Sequence, residues 1–218
     1  MKLTQDFGDT LLKLEKSFGI KYDDDCFKDA KTFGDICKII ESKLVFADKN
    51  DCTTQQAFYK VRRAISRTQN IAEVNIKSKT RLEKIFPRST RRQRVKKFKQ
   101  ELGIPVNFLT IKRLLGWAIA FCFLLSIVAF FFDWQIAVGA LTLSFMFYWT
   151  ANKFAKELSI LTVADLAEKI SREHYSQARR HSGTANKNEI VKTIQNVFIA
   201  DYLMDRADLT EDASLGWA

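Results

Sequence analysis

His174 and His181 stand seven residues apart, a spacing that puts both side chains on one face of a helix. Imidazoles serve as metal ligands or as acid–base groups near neutral pH. A zinc site needs further ligands, and neither histidine has a spaced carboxylate or third ligand beside it. Arg172, Arg179 and Arg180 lie near the pair, which therefore reads as two exposed histidines. Asp23-Asp24-Asp25 offers carboxylates for a cation but lacks the glycine and terminal glutamate of a calcium loop, so it reads as a solvated connector. Asp35 and Asp165 occupy the third position of two helices, where cap chemistry accounts for them. Cys26, Cys37, Cys52 and Cys122 include no CxxC pair, which points to reduced thiols rather than to zinc. P-loop, GxSxG, HExxH and GxGxxG signatures are absent. The expectation is a protein that is not an enzyme and holds no metal or cofactor.

Charge is the stronger signal. The chain carries a net +10, and the excess is concentrated: Thr54 to Arg113 holds seventeen Lys and Arg against Glu73, Glu83 and Glu101. Arg88, Arg91, Arg92, Arg94, Lys96 and Lys97, with Lys112 and Arg113 further on, are the candidate contacts for anionic lipid or an acidic partner. A nucleic-acid partner ranks below these, because no aromatic residue interrupts Arg88–Lys97 to stack on bases.

The basic segment runs into two apolar stretches, Leu114–Phe132 and Trp134–Ala151, joined at Asp133. A helix rising ~1.5 Å per residue needs about 20 residues to cross ~30 Å of hydrocarbon. Ser126 supplies the only hydroxyl of the first stretch; Thr142, Ser144 and Thr150 interrupt the second, and Gly139-Ala140 offers a small patch for close helix packing. Trp117, Trp134, Tyr148 and Trp149 lie toward the ends, as interfacial rings do. These features predict a transmembrane hairpin. Lys112 and Arg113 before it and Lys153 and Lys156 after it predict two spans in the inner (cytoplasmic) membrane with both termini cytoplasmic. Met1–Ile20 is amphipathic and charged, so no signal peptide is expected.

The remaining chain reads as all-α. Only 8 Gly and 2 Pro occur, and apolar residues recur at helical spacing. Helices are expected over Asp9–Phe18 with Gly19 as the stop, from Thr32 to about Leu44, from Thr53 or Thr54 to about Asn70, and over Thr90–Leu102 ended by Gly103. A loop of about twenty residues should follow Asn70, pinned by Val74, Ile76 and Leu82. Beyond the hairpin, Thr162 should cap a helix running toward Arg180, and Asn186 or Asn188 should start a last one.

Segments repeat. Thr32-Phe-Gly-Asp-Ile-Cys-Lys-Ile-Ile matches Thr162-Val-Ala-Asp-Leu-Ala-Glu-Lys-Ile; Ala64–Leu82 matches Ile194–Leu215; Lys16-Ser-Phe-Gly-Ile-Lys echoes Gln100-Glu-Leu-Gly-Ile-Pro. Their order resembles that of acyl carrier protein. In that family a first helix leads through a long loop to a D-S-L motif, a second helix ends E-E-F-G-I, and T-V-x-D-L-x-x-x-I forms the last helix. The resemblance implies one carrier-like unit made of residues 54–108 and 158–181, interrupted by the hairpin at 109–157. It implies a second, circularly permuted unit made of residues 1–46 and 186–218, completed within one chain or between chains. The family attaches phosphopantetheine to the D-S-L serine. Thr90, its neighbour Ser89, and Thr4 in the permuted copy fall at that place, without the flanking Asp and Leu, so no prosthetic group is expected.

The functional expectation is a membrane-anchored, non-catalytic docking or scaffold protein that binds an unidentified protein or assembles with itself. Immunity against a membrane-targeted toxin, or an acyl-carrier role in lipid synthesis, are the alternatives.

Overall fold

The computed structural model describes residues 5–23, 25–44, 47–48, 51–181 and 184–214. Helix α1 (Gln5–Phe18) stops at Gly19, which takes a left-handed backbone with φ 70°. Helix α2 (Phe33–Lys43) is opened by Thr32, whose hydroxyl accepts from Asp35 N while the Asp35 carboxylate accepts from Thr32 N. This reciprocal cap satisfies two amides that the helix itself leaves free. Helix α3 (Thr53–Gln69) ends at left-handed Asn70, and a 3-10 turn at Glu73–Asn75 and a short helix α4 (Leu82–Ile85) follow inside the expected loop. Helix α5 (Arg91–Leu102) stops at left-handed Gly103. Beyond the hairpin, α8 (Val163–Glu173) repeats the α2 cap with Thr162 and Asp165. It ends earlier than expected. His174 breaks it, and a four-residue helix α9 (Tyr175–Ala178) follows. Helix α10 (Lys187–Tyr202) leads to a 3-10 turn at Arg206–Asp208.

The helices gather into two cores. One contains Ala57, Val61 and Ile65 of α3, Leu82 and Ile85 of α4, Val95 and Phe98 of α5, and Val163, Leu166 and Ile170 of α8. The other joins the two ends of the chain: Phe7, Leu14 and Phe18 of α1, Phe33, Ile36 and Ile40 of α2, and Ile190, Ile194 and Phe198 of α10. Burial of these large apolar side chains, at about 1.5–3 kcal/mol each, is the main force holding each core.

The two cores follow one plan in permuted order. Left-handed Asn70 and Leu203 end α3 and α10, each followed by a 3-10 turn, and left-handed Gly19 and Gly103 end α1 and α5. An antiparallel bridge pairs Arg81 with Thr162 in one core and Ser214 with Thr32 in the other. The cores touch where α8 passes into α9: Ser17 Oγ of α1 donates to Arg172 O at 2.6 Å and accepts from Tyr175 N at 3.2 Å. Strands β1 (Ala47–Asp48) and β4 (Thr184–Ala185), the segments preceding α3 and α10, pair in parallel.

Between α5 and α8 the chain forms a helical hairpin, α6 (Arg113–Ala129) and α7 (Trp134–Lys153). Strands β2 (Leu109–Thr110) and β3 (Glu157–Leu158) pair antiparallel at its foot and hold the two ends side by side. The expected transmembrane assignment is corrected here. Among the described residues no helix is long and apolar enough to cross a membrane. Phe130, Phe131 and Phe132, apolar in sequence, turn instead of extending α6: their amides bond to Ile127, Val128 and Ala129 carbonyls. The 17 residues of α6 therefore reach only about 25 Å, short of the ~30 Å of hydrocarbon. Helix α7 is longer, but Gln135 and the Asn152-Lys153 end leave its apolar part short as well. The expected two spans in the inner membrane, and the cytoplasmic orientation of the termini deduced from them, fall with that assignment.

Gly34 opens α2 against the distal end of the chain. Its amide donates to Glu211 O at 2.9 Å, and a Cβ there would lie 2.7 Å from that oxygen. Gly8 in α1 has open space where a Cβ would go. Gly34→Ala should therefore destabilise the terminal core by about 1–3 kcal/mol, whereas Gly8→Ala should be neutral or stabilise by up to ~1 kcal/mol. Chemical denaturation of the two variants checks both signs.

Candidate docking surfaces

The hairpin buries little of itself. Ile119, Ser126, Ala137 and Ser144 are its buried residues, and the hydroxyls of Ser126 and Ser144 meet at 3.5 Å across the seam. Ser126 Oγ also donates to Cys122 O at 2.8 Å, so its polarity is satisfied within α6. Gly139 is not part of the seam; a Cβ there would meet nothing within 4 Å. The outer surface is apolar on every side. Among the described residues, twenty exposed large hydrophobic side chains lie between Leu114 and Trp149. They include the tip, where Phe131 and Phe132 are 87% and 86% exposed and Trp134 is 65% exposed. Asp133 ends the turn by accepting from Gln135 N at 2.7 Å and Ile136 N at 3.3 Å, which caps α7.

Cations surround the foot. Lys96, Lys97, Lys112 and Arg113 are exposed, Arg88 pairs with Glu157 at 2.7 Å, and the Arg92 guanidinium lies 4.8 Å from the Phe154 ring centroid. Two of the sequence candidates face inward instead. Arg91 is buried: Nε donates to Phe86 O at 2.8 Å and Nη1 to Lys156 O at 2.6 Å, with Glu83 and Glu157 oxygens 3.9 Å away. It ties α5 to the strand that leaves the hairpin, so it is a structural residue rather than a surface contact. Arg94 is half-buried and donates to Gln69 Oε1 at 3.3 Å and to Ile85 O at 3.4 Å. Sequence spacing carried a signal for Arg91, because it shares the buried face of α5 with Val95 and Phe98.

An open groove of about 1180 Å3 runs from α5 to the foot of α7. Arg92, Lys96 and Lys99 line it from one side and Lys153 from the other, with no carboxylate among its lining residues. Lys99 and Lys153 carried no distinguishing sequence signal, since they meet only through the fold. Burial holds the Lys99 ammonium below the usual lysine range. A smaller cavity of about 290 Å3 between α1, α8 and α10 mixes charges: Lys13 pairs with Asp201 at 2.6 Å, and Lys169 with Glu173 at 2.8 Å.

The remaining sequence candidates are dispersed. His174 is buried, with its pKa lowered by burial, and Nδ1 has no hydrogen-bond partner among the described residues. His181 lies in a bend beyond α9, so the two histidines do not share a helix face as their spacing predicts. Among the described residues no three His, Cys, Asp or Glu side chains gather to hold a metal. Asp23 pairs with Lys43 at 2.6 Å and Asp25 with Lys28 at 3.7 Å. Ser89 and Thr90 are exposed at the start of α5, where Thr90 makes no side-chain cap; Thr4 lies outside the described residues. All four cysteines are free thiols. No family model matches the chain, and no curated protein or solved structure matches it.

Two outcomes follow from this geometry. Arg91→Met should cost about 2–4 kcal/mol, because the Phe86 and Lys156 carbonyls lose a buried charged donor, while Lys97→Met should change stability little. Thermal unfolding of both variants measures the difference. Burial, with Glu41 and Glu211 nearby, pushes the Cys37 thiol up to about 12, whereas Cys52 and Cys122 are exposed. A maleimide at about pH 8 should modify Cys52 and Cys122 promptly and Cys37 only on unfolding, as peptide mass mapping would reveal.

Proposed function

We propose that this protein is a non-catalytic docking or scaffold protein held at a lipid surface by its apolar hairpin, with two carrier-like helical cores presented beside that surface. The single observation that carries the reading is the outer surface of α6 and α7. Large apolar side chains cover it on all sides and no other part of the described chain packs on them. A contiguous patch of this extent marks an interaction site. A protein partner fits one face of a helix pair; acyl chains fit all of them, including the aromatic tip. The reading requires no crossing. A hairpin whose ends meet at the β2–β3 ladder enters the acyl region and returns on the side it came from.

The shared plan of the two cores supports the carrier-like reading: the same helix stops, 3-10 turns and cap bridges recur in permuted order. Carrier-like cores are compact docking modules. Concentrating two of them at a surface lets weak contacts to a partner act together. Thr90, Ser89 and Thr4 lack the flanks of an attachment motif, so the role proposed is docking rather than acyl carriage.

Co-flotation with phosphatidylcholine vesicles tests the anchoring. The protein as isolated should float with the vesicles. Phe131→Asp combined with Phe132→Asp should abolish flotation with helix content unchanged, because each buried CH2 contributes about 0.8 kcal/mol and each buried charge opposes insertion. Loss of the free protein into self-assembled oligomers that ignore vesicles would contradict the reading.

A further inference from the structure

We infer that the groove between α5 and the foot of α7 binds the phosphate headgroup of an anionic phospholipid. The inference rests on the lipid-surface reading above and adds to it a specific site and ligand class. Arg92, Lys96, Lys99 and Lys153 line one groove of about 1180 Å3, and no carboxylate lines it with them. None of the four forms an ion pair among the described residues. Two neighbouring cations of the foot are already engaged: Arg88 is paired with Glu157 and Arg91 is buried against carbonyls.

Three of the four side chains are positioned rather than merely nearby. Arg92 stacks on Phe154 with 4.8 Å from guanidinium to ring centroid, and Lys153 Nζ sits 5.2 Å from the Trp149 ring. Lys99 Nζ donates to Asn107 Oδ1 at 2.7 Å and lies 5.9 Å from the Phe108 ring. Aromatic faces and a neutral amide hold the cations in place without neutralising them. Arg92 also stands in the first turn of α5, where the positive end of the helix disfavours a cation. An anion in the groove relieves that repulsion as well as the mutual repulsion of the four.

Geometry selects a lipid over a free phosphate. Lys153 ends α7, and the apolar surface of the hairpin, beginning with exposed Trp149 and Tyr148, rises from the same foot. A phosphodiester seated between Arg92, Lys96 and Lys153 has its acyl chains directed onto that surface. A soluble phosphate satisfies only the charges. The headgroup and the hairpin thus take the two ends of one amphipathic ligand.

The test compares full-length protein on vesicles of phosphatidylcholine alone and of phosphatidylcholine mixed with phosphatidylglycerol. One variant carries Arg92→Gln, Lys96→Gln, Lys99→Gln and Lys153→Gln. A charge-matched control carries Lys38→Gln, Lys77→Gln, Lys79→Gln and Lys84→Gln, all exposed and outside the groove. At about 1 kcal/mol per cation near anionic lipid, the groove variant should lose roughly tenfold or more of the preference for phosphatidylglycerol vesicles. The control should keep most of it, and both should still float with neutral vesicles. Equal losses in the two variants would overturn the groove and leave only diffuse attraction. Glycerol phosphate that removes the preference at low concentration would overturn the lipid assignment in favour of a soluble anion. Absence of flotation on any vesicle would defeat the lipid-surface reading, and the groove with it.

Discussion

Apolar surface must leave water, and in this chain the two helical cores meet that demand internally while the hairpin does not. Phe7, Phe18, Phe33 and Phe198 close one core, and Phe86, Phe98 and Phe108 close the other, with ring centroids 5.5–6.1 Å apart in the second. The hairpin has only the narrow Ser126–Ser144 seam. Its side chains would stabilise any environment that covers them by about 1.5–3 kcal/mol each, so the covering partner dominates the behaviour of the whole molecule. The foot is built to resist that pull. A β2–β3 ladder, the buried Arg91 and the Arg88–Glu157 pair connect the hairpin to α5 and to the central core. Whatever holds the hairpin also positions the two cores.

The same logic places the charge. Lysines and arginines occur along the whole chain, but a group of them stands where the apolar surface ends. Arg92, Lys96 and Lys153 line the groove at the foot of the hairpin, and the carboxylates near the foot, Glu83 and Glu157, are turned toward Arg91 and Arg88. Surface attraction of this kind weakens with salt, over a Debye length of about 10 Å at ~0.1 M. Contact by the apolar tip does not, so the two contributions are separable in solution.

Much of the helical architecture was legible from residue types. Gly19 and Gly103 signalled helix ends because glycine, lacking a Cβ, takes the left-handed backbone there without a steric penalty, and Thr32 and Thr162 signalled starts because a hydroxyl can meet a free amide. Leu203 did not signal its helix end, since a left-handed leucine is disfavoured. The hairpin's apolar stretches were visible but their helical lengths were not: a phenylalanine triplet is as apolar in a turn as in a helix, and Asp133 ends the turn one residue later. Charge alone places Arg91 with the surface cations, yet its position on the face of α5 that carries Val95 and Phe98 sends it inward. The groove was illegible, since Lys99 and Lys153 are brought together only when the β2–β3 ladder closes.

Tryptophan quenching by brominated lipids tests the central claim most directly, because the hairpin carries Trp134 at its tip and Trp117 and Trp149 nearer its foot. With single-tryptophan variants on vesicles, bromines near the ends of the acyl chains should quench Trp134 most strongly, and bromines near the headgroups should quench Trp149 most strongly. Equal emission from all three with and without brominated lipid would place the hairpin outside the acyl region and contradict the account.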